Sequence, residues 1–302
     1  MTTTTTNLAT KQPKTVVLAK HSGFCYGVKM AVDKAFELAD SNKETVYVLG
    51  ELIHNPQVVE KLKDKNVKTV QSIDEVPAGA TCLIRTHGVG PEYQVIAKER
   101  DITVEDATCP DVRRVQERAM QLADEGYVVV LVGKEDHPEI KGIRSHTLHR
   151  ADVTVLVVNS PEELDTAFEG ISKNKIGVVT QTTQKEDNFF NIVAKLATMA
   201  KELKVFNTIC PATFKRQYAA EDLAKEVEMV VVIGGKNSSN TTHLAEVSRQ
   251  QGTEAVHIET VAELKDHPML EKYTKIGVTA GASTPDWLVE DVLLYLNNYH
   301  LQ

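Results

Sequence analysis

The feature that most constrains the fold of this chain is an organisation that occurs three times along it. Each repeat opens with a cysteine, continues with an amphipathic helical pattern and ends in a β-branched run that closes with glycine. The cysteines are Cys25, Cys109 and Cys210, and the glycines Gly50, Gly133 and Gly234 follow them by 25, 24 and 24 residues. Apolar spacing of three and four indicates helices, whereas β-branched runs indicate buried strands. The repeated alternation predicts an α/β fold with mainly parallel strands.

The repeat also predicts how the chain is divided. We expect a disordered Thr-rich tail over 1–14 and three α/β units over 15–108, 109–209 and 210–302. Ligands of parallel sheets bind beyond the carboxyl ends of the strands, where polar loops follow each run. These loops are ELIHN at 51–55, RTHGV at 85–89, KEDHPEI at 134–140, TQTT at 180–183, KNSSN at 236–240 and TAGAST at 279–284. If the units pack about a pseudo-threefold axis, the cysteines and loops share one central cavity.

Composition narrows the functional classes. A net charge of −8 over 302 residues argues against a nucleic-acid-binding protein, which needs a basic surface. No apolar run approaches the length of a membrane helix, and the opening segment has no apolar signal core. Four cysteines are too few for a disulfide framework. We therefore expect a cytoplasmic protein whose cysteines serve metal or redox chemistry.

Three of the four cysteines hold equivalent places in the repeat. Each precedes a helical segment, and proline follows both Cys109 and Cys210 at the first helical position. A thiol there faces the positive end of the helix dipole, which predicts a lowered pKa and a metal-binding thiolate. Cys82 lies inside the strand-like run TCLIR and is predicted to fill the core. Three thiolates could bind zinc or an iron–sulfur cluster; the absence of a C-x-x-C pair favours a cubane cluster with one open iron.

The polar loops carry the remaining candidates. His54, His87 and His137 occupy matched loops, which predicts a shared site suited to a phosphate-like anion. Short hydroxyl and amide donors that open a helix also suit an anion, although KNSSN is equally compatible with a solvent loop. Those donors are Ser238, Ser239, Asn240 and Ser283.

One acidic residue stands out among the loops. Glu139 lies two residues from His137, where its carboxyl could transfer protons. In TQTT, Thr182 or Thr183 could orient a substrate hydroxyl or complete a proton relay.

Taken in order, these segments resemble the 4-hydroxy-3-methylbut-2-enyl diphosphate reductase family over roughly residues 15–295. The family catalyses the last step of the non-mevalonate isoprenoid pathway. The resemblance implies a trefoil of three α/β domains around a [4Fe–4S] cluster held by Cys25, Cys109 and Cys210. It also implies that two electrons and two protons convert an allylic alcohol diphosphate to isopentenyl and dimethylallyl diphosphates, with loss of water.

The same resemblance implies roles for the loop residues. His54, His87, Ser238, Ser239, Asn240 and Ser283 would hold the diphosphate. Glu139 would supply protons, with His137 beside it and Thr182 orienting the substrate hydroxyl. A ferredoxin or flavodoxin type protein would donate the electrons. Two alternatives stay open from the residues: a cluster-dependent dehydratase, which transfers no net electrons, and a non-enzymatic iron–sulfur sensor.

Overall fold

The computed structural model describes residues 12–42, 44–265 and 267–301. Most of the predicted tail, residues 1–11, therefore lies outside the described residues. The chain divides into two compact units: a larger unit of residues 25–214, and a smaller unit of residues 1–24 together with 215–302.

The described residues form twelve strands in three four-stranded sheets, and every strand pair is parallel. The predicted α/β class with parallel strands is confirmed. The strands are β1 (Thr15–Leu18), β2 (Val46–Leu49), β3 (Val67–Val70), β4 (Thr81–Ile84), β5 (Thr103–Asp106), β6 (Val128–Val132), β7 (Val155–Val158), β8 (Lys175–Thr180), β9 (Glu202–Val205), β10 (Met229–Ile233), β11 (Glu254–Ile258) and β12 (Lys275–Ala280).

Helices connect these strands in chain order. They are α1 (Tyr26–Ser41), α2 (Pro56–Asp64), α3 (Glu92–Glu99), α4 (Pro110–Asp124), α5 (Pro138–Thr147), α6 (Leu164–Ala167), α7 (Glu186–Met199), α8 (Pro211–Glu226), α9 (Ser239–Gln250), α10 (Met269–Lys272) and α11 (Asp286–Asn297). Short 3₁₀ turns occupy Ile73–Glu75, Pro161–Glu163, Val261–Glu263 and Tyr299–Leu301. No helix within the described ranges is long and apolar enough to cross a membrane.

The larger unit contains two sheets, with strand orders β3-β2-β4-β5 and β7-β6-β8-β9. The sequence of strand β6 is apolar throughout because both of its faces are buried. Val130 and Val132 face one buried cluster, whereas Val129 and Leu131 face another. A parallel strand covered by helices on both faces has no solvent side, so alternation disappears and a continuous valine-rich run remains. Strands β2 and β4 are parallel neighbours, and so are β6 and β8, so the loops that follow each pair leave from the same edge of their sheet.

The smaller unit contains the sheet β1-β12-β10-β11. Its central strand β10 is again buried on both faces: Val231 and Ile233 face one cluster, and Val230 and Val232 face the other. The edge strand β1 comes from the opposite end of the chain, because Thr15 pairs with Lys275.

This pairing differs from the predicted division, which assigned residues 15–18 to the first unit. The three sheets share one feature: in each sheet, one of the two edge strands directly precedes a repeat cysteine. Strand β5 precedes Cys109, β9 precedes Cys210, and β1, which precedes Cys25, completes the last sheet. Residues 15–18 therefore belong with the strands of 210–302. A four-residue apolar strand carries no local mark of the sheet it joins, so the sequence pattern alone missed this.

Candidate functional site

The three repeat cysteines lie at the starts of helices in the larger unit. Cys25 is the N-cap residue of α1, and its sulfur accepts a hydrogen bond from the Val28 amide at 3.4 Å. Cys109 is the N-cap residue of α4, and Cys210 directly precedes α8. All three side chains are half-buried, and none is in a disulfide. Each cysteine is therefore partly exposed, and its backbone lies at the start of a helix.

Close packing brings two of these cysteines together. A β-carbon added at Gly27 would overlap the sulfur of Cys109, so glycine is required two residues after Cys25. Negative charge on Cys25 raises the pKa of both other thiols, which indicates that all three are near neighbours. The structure therefore brings the three sulfurs into one region.

The predicted lowering of the thiol pKa is wrong for two of the three. Burial raises the pKa of Cys210 to about 12, and the Asp111 carboxylate, 3.0 Å from its sulfur, adds to the rise. Burial also raises the pKa of Cys109, although the amides of Asp111 and Val112 act in the opposite direction. Loss of solvation outweighs the favourable helix terminus at both sites. Cys82 is 1% exposed within β4, where burial raises its pKa to about 11, as expected of a core thiol.

The three loop histidines also converge. Ring centroids lie 4.8 Å apart for His54 and His87, 5.3 Å for His87 and His137, and 6.0 Å for His54 and His137. Burial and the neighbouring rings lower the pKa of His137 to about 4 and that of His87 well below its ordinary value. These two imidazoles are therefore neutral at pH 7. Because Nδ1 of His137 accepts the Glu139 amide at 3.2 Å, its proton is on Nε2.

Glu139 is buried and bonded twice to one residue. Its Oε1 accepts the Thr182 amide at 2.6 Å, and its Oε2 accepts the Thr182 hydroxyl at 2.7 Å. Burial raises the pKa of Glu139 to about 7, and both bonds from Thr182 oppose that rise. The Thr182 carbonyl in turn accepts the Cys210 amide at 2.9 Å. Glu139, whose pKa lies near neutral pH, is therefore connected through the hydrogen bonds of Thr182 to the backbone of Cys210.

The neighbouring hydroxyl has a different role. Thr183 Oγ1 accepts a hydrogen bond from Gln181 Nε2 at 2.8 Å. The sequence left open whether Thr182 or Thr183 serves the site, and in the structure Thr182 is the one bonded to Glu139.

In the smaller unit, the loops after β10 and β12 pack together. A β-carbon at Gly281 or Gly234 would overlap Thr241, so both glycines are needed for the close approach. The Ser238 hydroxyl caps α9 by accepting the Thr241 amide at 3.3 Å. Both polar side-chain atoms of Asn240 are buried without a hydrogen-bond partner, which leaves them available to a ligand. Ser283 is buried and Ser239 is half-buried in the same loops.

Comparison with known proteins identifies the family. The family model described as LytB protein matches residues 16–297. The chain belongs to the LytB family. A LytB relative from Pelobacter propionicus, named 4-hydroxy-3-methylbut-2-enyl diphosphate reductase, is 45% identical over 278 residues, which are 92% of this chain and 96% of the relative. The chain spans 44% of the length of a longer relative of the same name from Clostridium tetani, with 42% identity over 95% of this chain.

Solved LytB structures agree in fold. The structure of (E)-4-hydroxy-3-methyl-but-2-enyl diphosphate reductase, described as the terminal enzyme of the non-mevalonate pathway, has a TM-score of 0.72 and 40% identity, covering 94% of this chain and 99% of its own. The reductase from Plasmodium falciparum has a TM-score of 0.88 and 30% identity, covering 95% and 89%. The predicted family is confirmed, and the chain is a LytB-family oxidoreductase.

LytB proteins are iron–sulfur enzymes, and the cysteine arrangement can be tested against that chemistry. Cys25, Cys109 and Cys210 are free cysteines at the starts of three helices, and cysteine thiolates are the usual ligands of iron–sulfur clusters.

Two residues beside these groups escaped the sequence interpretation. Asp111, one residue after the proline that follows Cys109, contacts the Cys210 sulfur. Arg85 opens the RTHGV loop, and its charge lowers the pKa of His87 and His137. The available signal for Arg85 was its place directly after a buried strand; for Asp111 there was none, because its partner is 99 residues away.

Proposed function

We propose that this chain catalyses the reductive dehydroxylation of 4-hydroxy-3-methylbut-2-enyl diphosphate. Two electrons and two protons would give isopentenyl or dimethylallyl diphosphate and water. The observation that carries the proposal is the buried Glu139–Thr182 pair, bonded through the Thr182 carbonyl to the segment of Cys210. Removal of a hydroxyl as water requires a proton donor beside the metal centre, and this pair provides one.

We assign the cofactor as one [4Fe–4S] cluster held by Cys25, Cys109 and Cys210, with one iron free of protein ligands. When bound, such a cluster supplies single electrons and Lewis-acid assistance to a poor leaving group. The chain contributes helix-borne ligands with fixed backbones. Because burial raises the pKa of Cys109 and Cys210, their protons leave as the cluster loads.

Glu139 is assigned as the proton donor. With a pKa of about 7, its carboxyl is present in both protonation states near neutral pH, which suits a group that gives up a proton and is then reprotonated. Thr182 holds both carboxyl oxygens, so the carboxyl plane is fixed. The Thr182 hydroxyl is assigned to orient the substrate hydroxyl, and His137, bonded to the Glu139 amide, to position Glu139.

The diphosphate is assigned to two sets of residues. His54 and His87 offer ring nitrogens in the larger unit, where the His87 ring is neutral. The smaller unit offers Ser238, Ser239, Asn240 and Ser283, of which Asn240 has an unpaired buried amide.

The remaining assignments concern the setting of the reaction. We assign electron delivery to a ferredoxin or flavodoxin type protein and place the enzyme in the cytoplasm. Four cysteines outside disulfides agree with a reducing compartment. The net charge of −8 gives no reason to expect a nucleic-acid partner.

An anaerobic assay tests the proposal. Purified protein would be mixed with a one-electron reductant and the hydroxylated diphosphate, and both product diphosphates would be followed. Products should form only with reductant. Conversion without reductant would instead indicate the cluster-dependent dehydratase, and absence of saturable substrate binding would favour the non-enzymatic sensor.

A further inference from the structure

Arg85 lies at the strand end from which the histidine loops leave. Leu49 and Ile84 are paired on neighbouring strands β2 and β4, so Gly50 and Arg85 follow side by side. Gly50 has a φ of +73°, and a β-carbon there would overlap the Arg85 guanidinium. The guanidinium therefore occupies the space that a side chain at residue 50 would fill. It lies against Gly50, just before the loop that carries His54, while Arg85 itself opens the loop that carries His87.

The second sheet provides an internal comparison for this position. Gly133 and Gln181 follow β6 and β8 in the equivalent places, and a β-carbon at Gly133 would overlap Gln181. Gln181 is neutral and satisfied, since its Oε1 accepts the Lys134 amide at 3.3 Å and its Nε2 donates to Thr183. A structural role at this position thus needs no charge.

In the first sheet the equivalent residue is a cation with an unused donor. The Arg85 Nε is buried without a hydrogen-bond partner, and so is Nδ1 of His87 two residues later. Burial lowers the pKa of Arg85, whereas the charges of Tyr93 and Glu51 act in the opposite direction. The Arg85 side chain is half-buried, so an anion bound here would take up a charged donor that lacks a hydrogen-bond partner in the described structure.

The charges around the histidines also decide which kind of ligand fits. Three imidazoles whose ligand atoms lie within 4.8 Å could suit a metal cation. The Arg85 charge, however, already disfavours added positive charge on His87 and His137. The same residues therefore favour an anion, to which neutral rings give hydrogen bonds but no balancing charge.

We propose that Arg85 is the fixed positive charge of this site and sets its affinity for the diphosphate of the substrate. The inference rests on the proposed function, because it assigns the anion as a diphosphate. Arg85 is a specificity-determining residue of the binding step, distinct from the proton-transferring Glu139.

The test uses the cluster-loaded enzyme and the variant Arg85→Gln, which introduces the side chain found at the equivalent position of the second sheet. We expect KM for the substrate and Ki for inorganic diphosphate to rise roughly 10–100-fold, the scale of a lost charge-assisted contact. We expect kcat to change far less. Arg85→Lys should recover part of the affinity, because it keeps the charge but not the guanidinium geometry. Lys63→Gln removes an exposed charge from the same unit and should leave both constants unchanged.

Ionic strength supplies a readout that a structural role would not move. Affinity of the wild type for inorganic diphosphate should fall steeply with added salt, and the dependence should flatten in Arg85→Gln. Unchanged Ki and salt dependence in Arg85→Gln would overturn the inference. If Arg85→Gln does not fold, Arg85→Lys decides: a moderate rise in Ki with the salt dependence retained supports the role of the charge, whereas an unchanged Ki or a loss confined to kcat overturns it. Failure of the proposed function is separate, since wild-type enzyme would then bind inorganic diphosphate without converting the substrate.

Discussion

Replacing Thr182 by valine tests the assignment of Glu139 with a defined sign. Valine keeps the shape of threonine and its backbone amide, so the 2.6 Å bond to Oε1 remains. It removes the hydroxyl that donates to Oε2 at 2.7 Å. That bond favours the carboxylate, and its loss must therefore raise the pKa of Glu139 further above about 7.

The magnitude follows from the kind of bond that is lost. A hydrogen bond to a charged group is worth about 1.5–3 kcal/mol, and one pKa unit corresponds to about 1.36 kcal/mol. The pKa of Glu139 should rise by roughly one to two units. If protonated Glu139 is the proton donor, activity is lost as pH rises through its pKa, and this loss should shift to higher pH by the same amount.

Two measurements check the shift. The pH dependence of kcat would be followed anaerobically, and the protonated carboxyl would be titrated by infrared difference spectroscopy, with Glu139→Gln identifying its band. Thr182→Ser keeps a hydroxyl and should stay close to the wild type. Thr183→Val is the matched control, because its hydroxyl is bonded to Gln181. An unchanged or lowered pKa in Thr182→Val would refute the reasoning.

Four further predictions concern residues of the site. Gly27→Ala should sharply lower the iron and sulfide content of anaerobically purified protein, because the added methyl group overlaps the Cys109 sulfur; full content would contradict this packing. Cys109→Ser should strip or damage the cluster while Cys82→Ser retains about four irons, which iron analysis and visible spectra would distinguish. Glu139→Gln should turn over about 100-fold more slowly with its cluster intact. Because burial raises the Glu139 pKa from 4.5 to about 7, wild-type stability is lost as pH rises across that interval, and Glu139→Gln should be more resistant to urea by about 3 kcal/mol at pH 8 but not at pH 4.

The sequence predicted what depends on local patterns. Apolar runs closed by glycine marked buried strands, and the loops after them marked the carboxyl ends where His54, His87 and His137 converge. These inferences succeed because the position and burial of a strand can be predicted from the pattern of residues that are adjacent in sequence.

Long-range contacts were harder to predict. The pairing of β1 with β12 depends on which edge is available at the other end of the chain. The bond between Asp111 and Cys210 likewise joins segments with no shared pattern. The thiol pKa was predicted with the wrong sign because the helix terminus is visible in sequence, whereas the depth of burial of Cys109 and Cys210 is not. The role proposed for Arg85 was missed because it depends on a buried Nε atom without a hydrogen-bond partner, which the sequence does not reveal.

The pairing of β1 with β12 delays the completion of one sheet until late in translation. Thr15 is translated 260 residues before its partner Lys275. At about 5–20 residues per second, a ribosome needs roughly 13–50 s to cover that distance. During this interval β1 has no sheet to join, whereas the strands of residues 25–214 find all their partners among themselves. A nascent chain that stalls before β12 therefore carries β1 as an apolar strand whose backbone hydrogen-bonding groups are unpaired, and such a strand can pair with another chain.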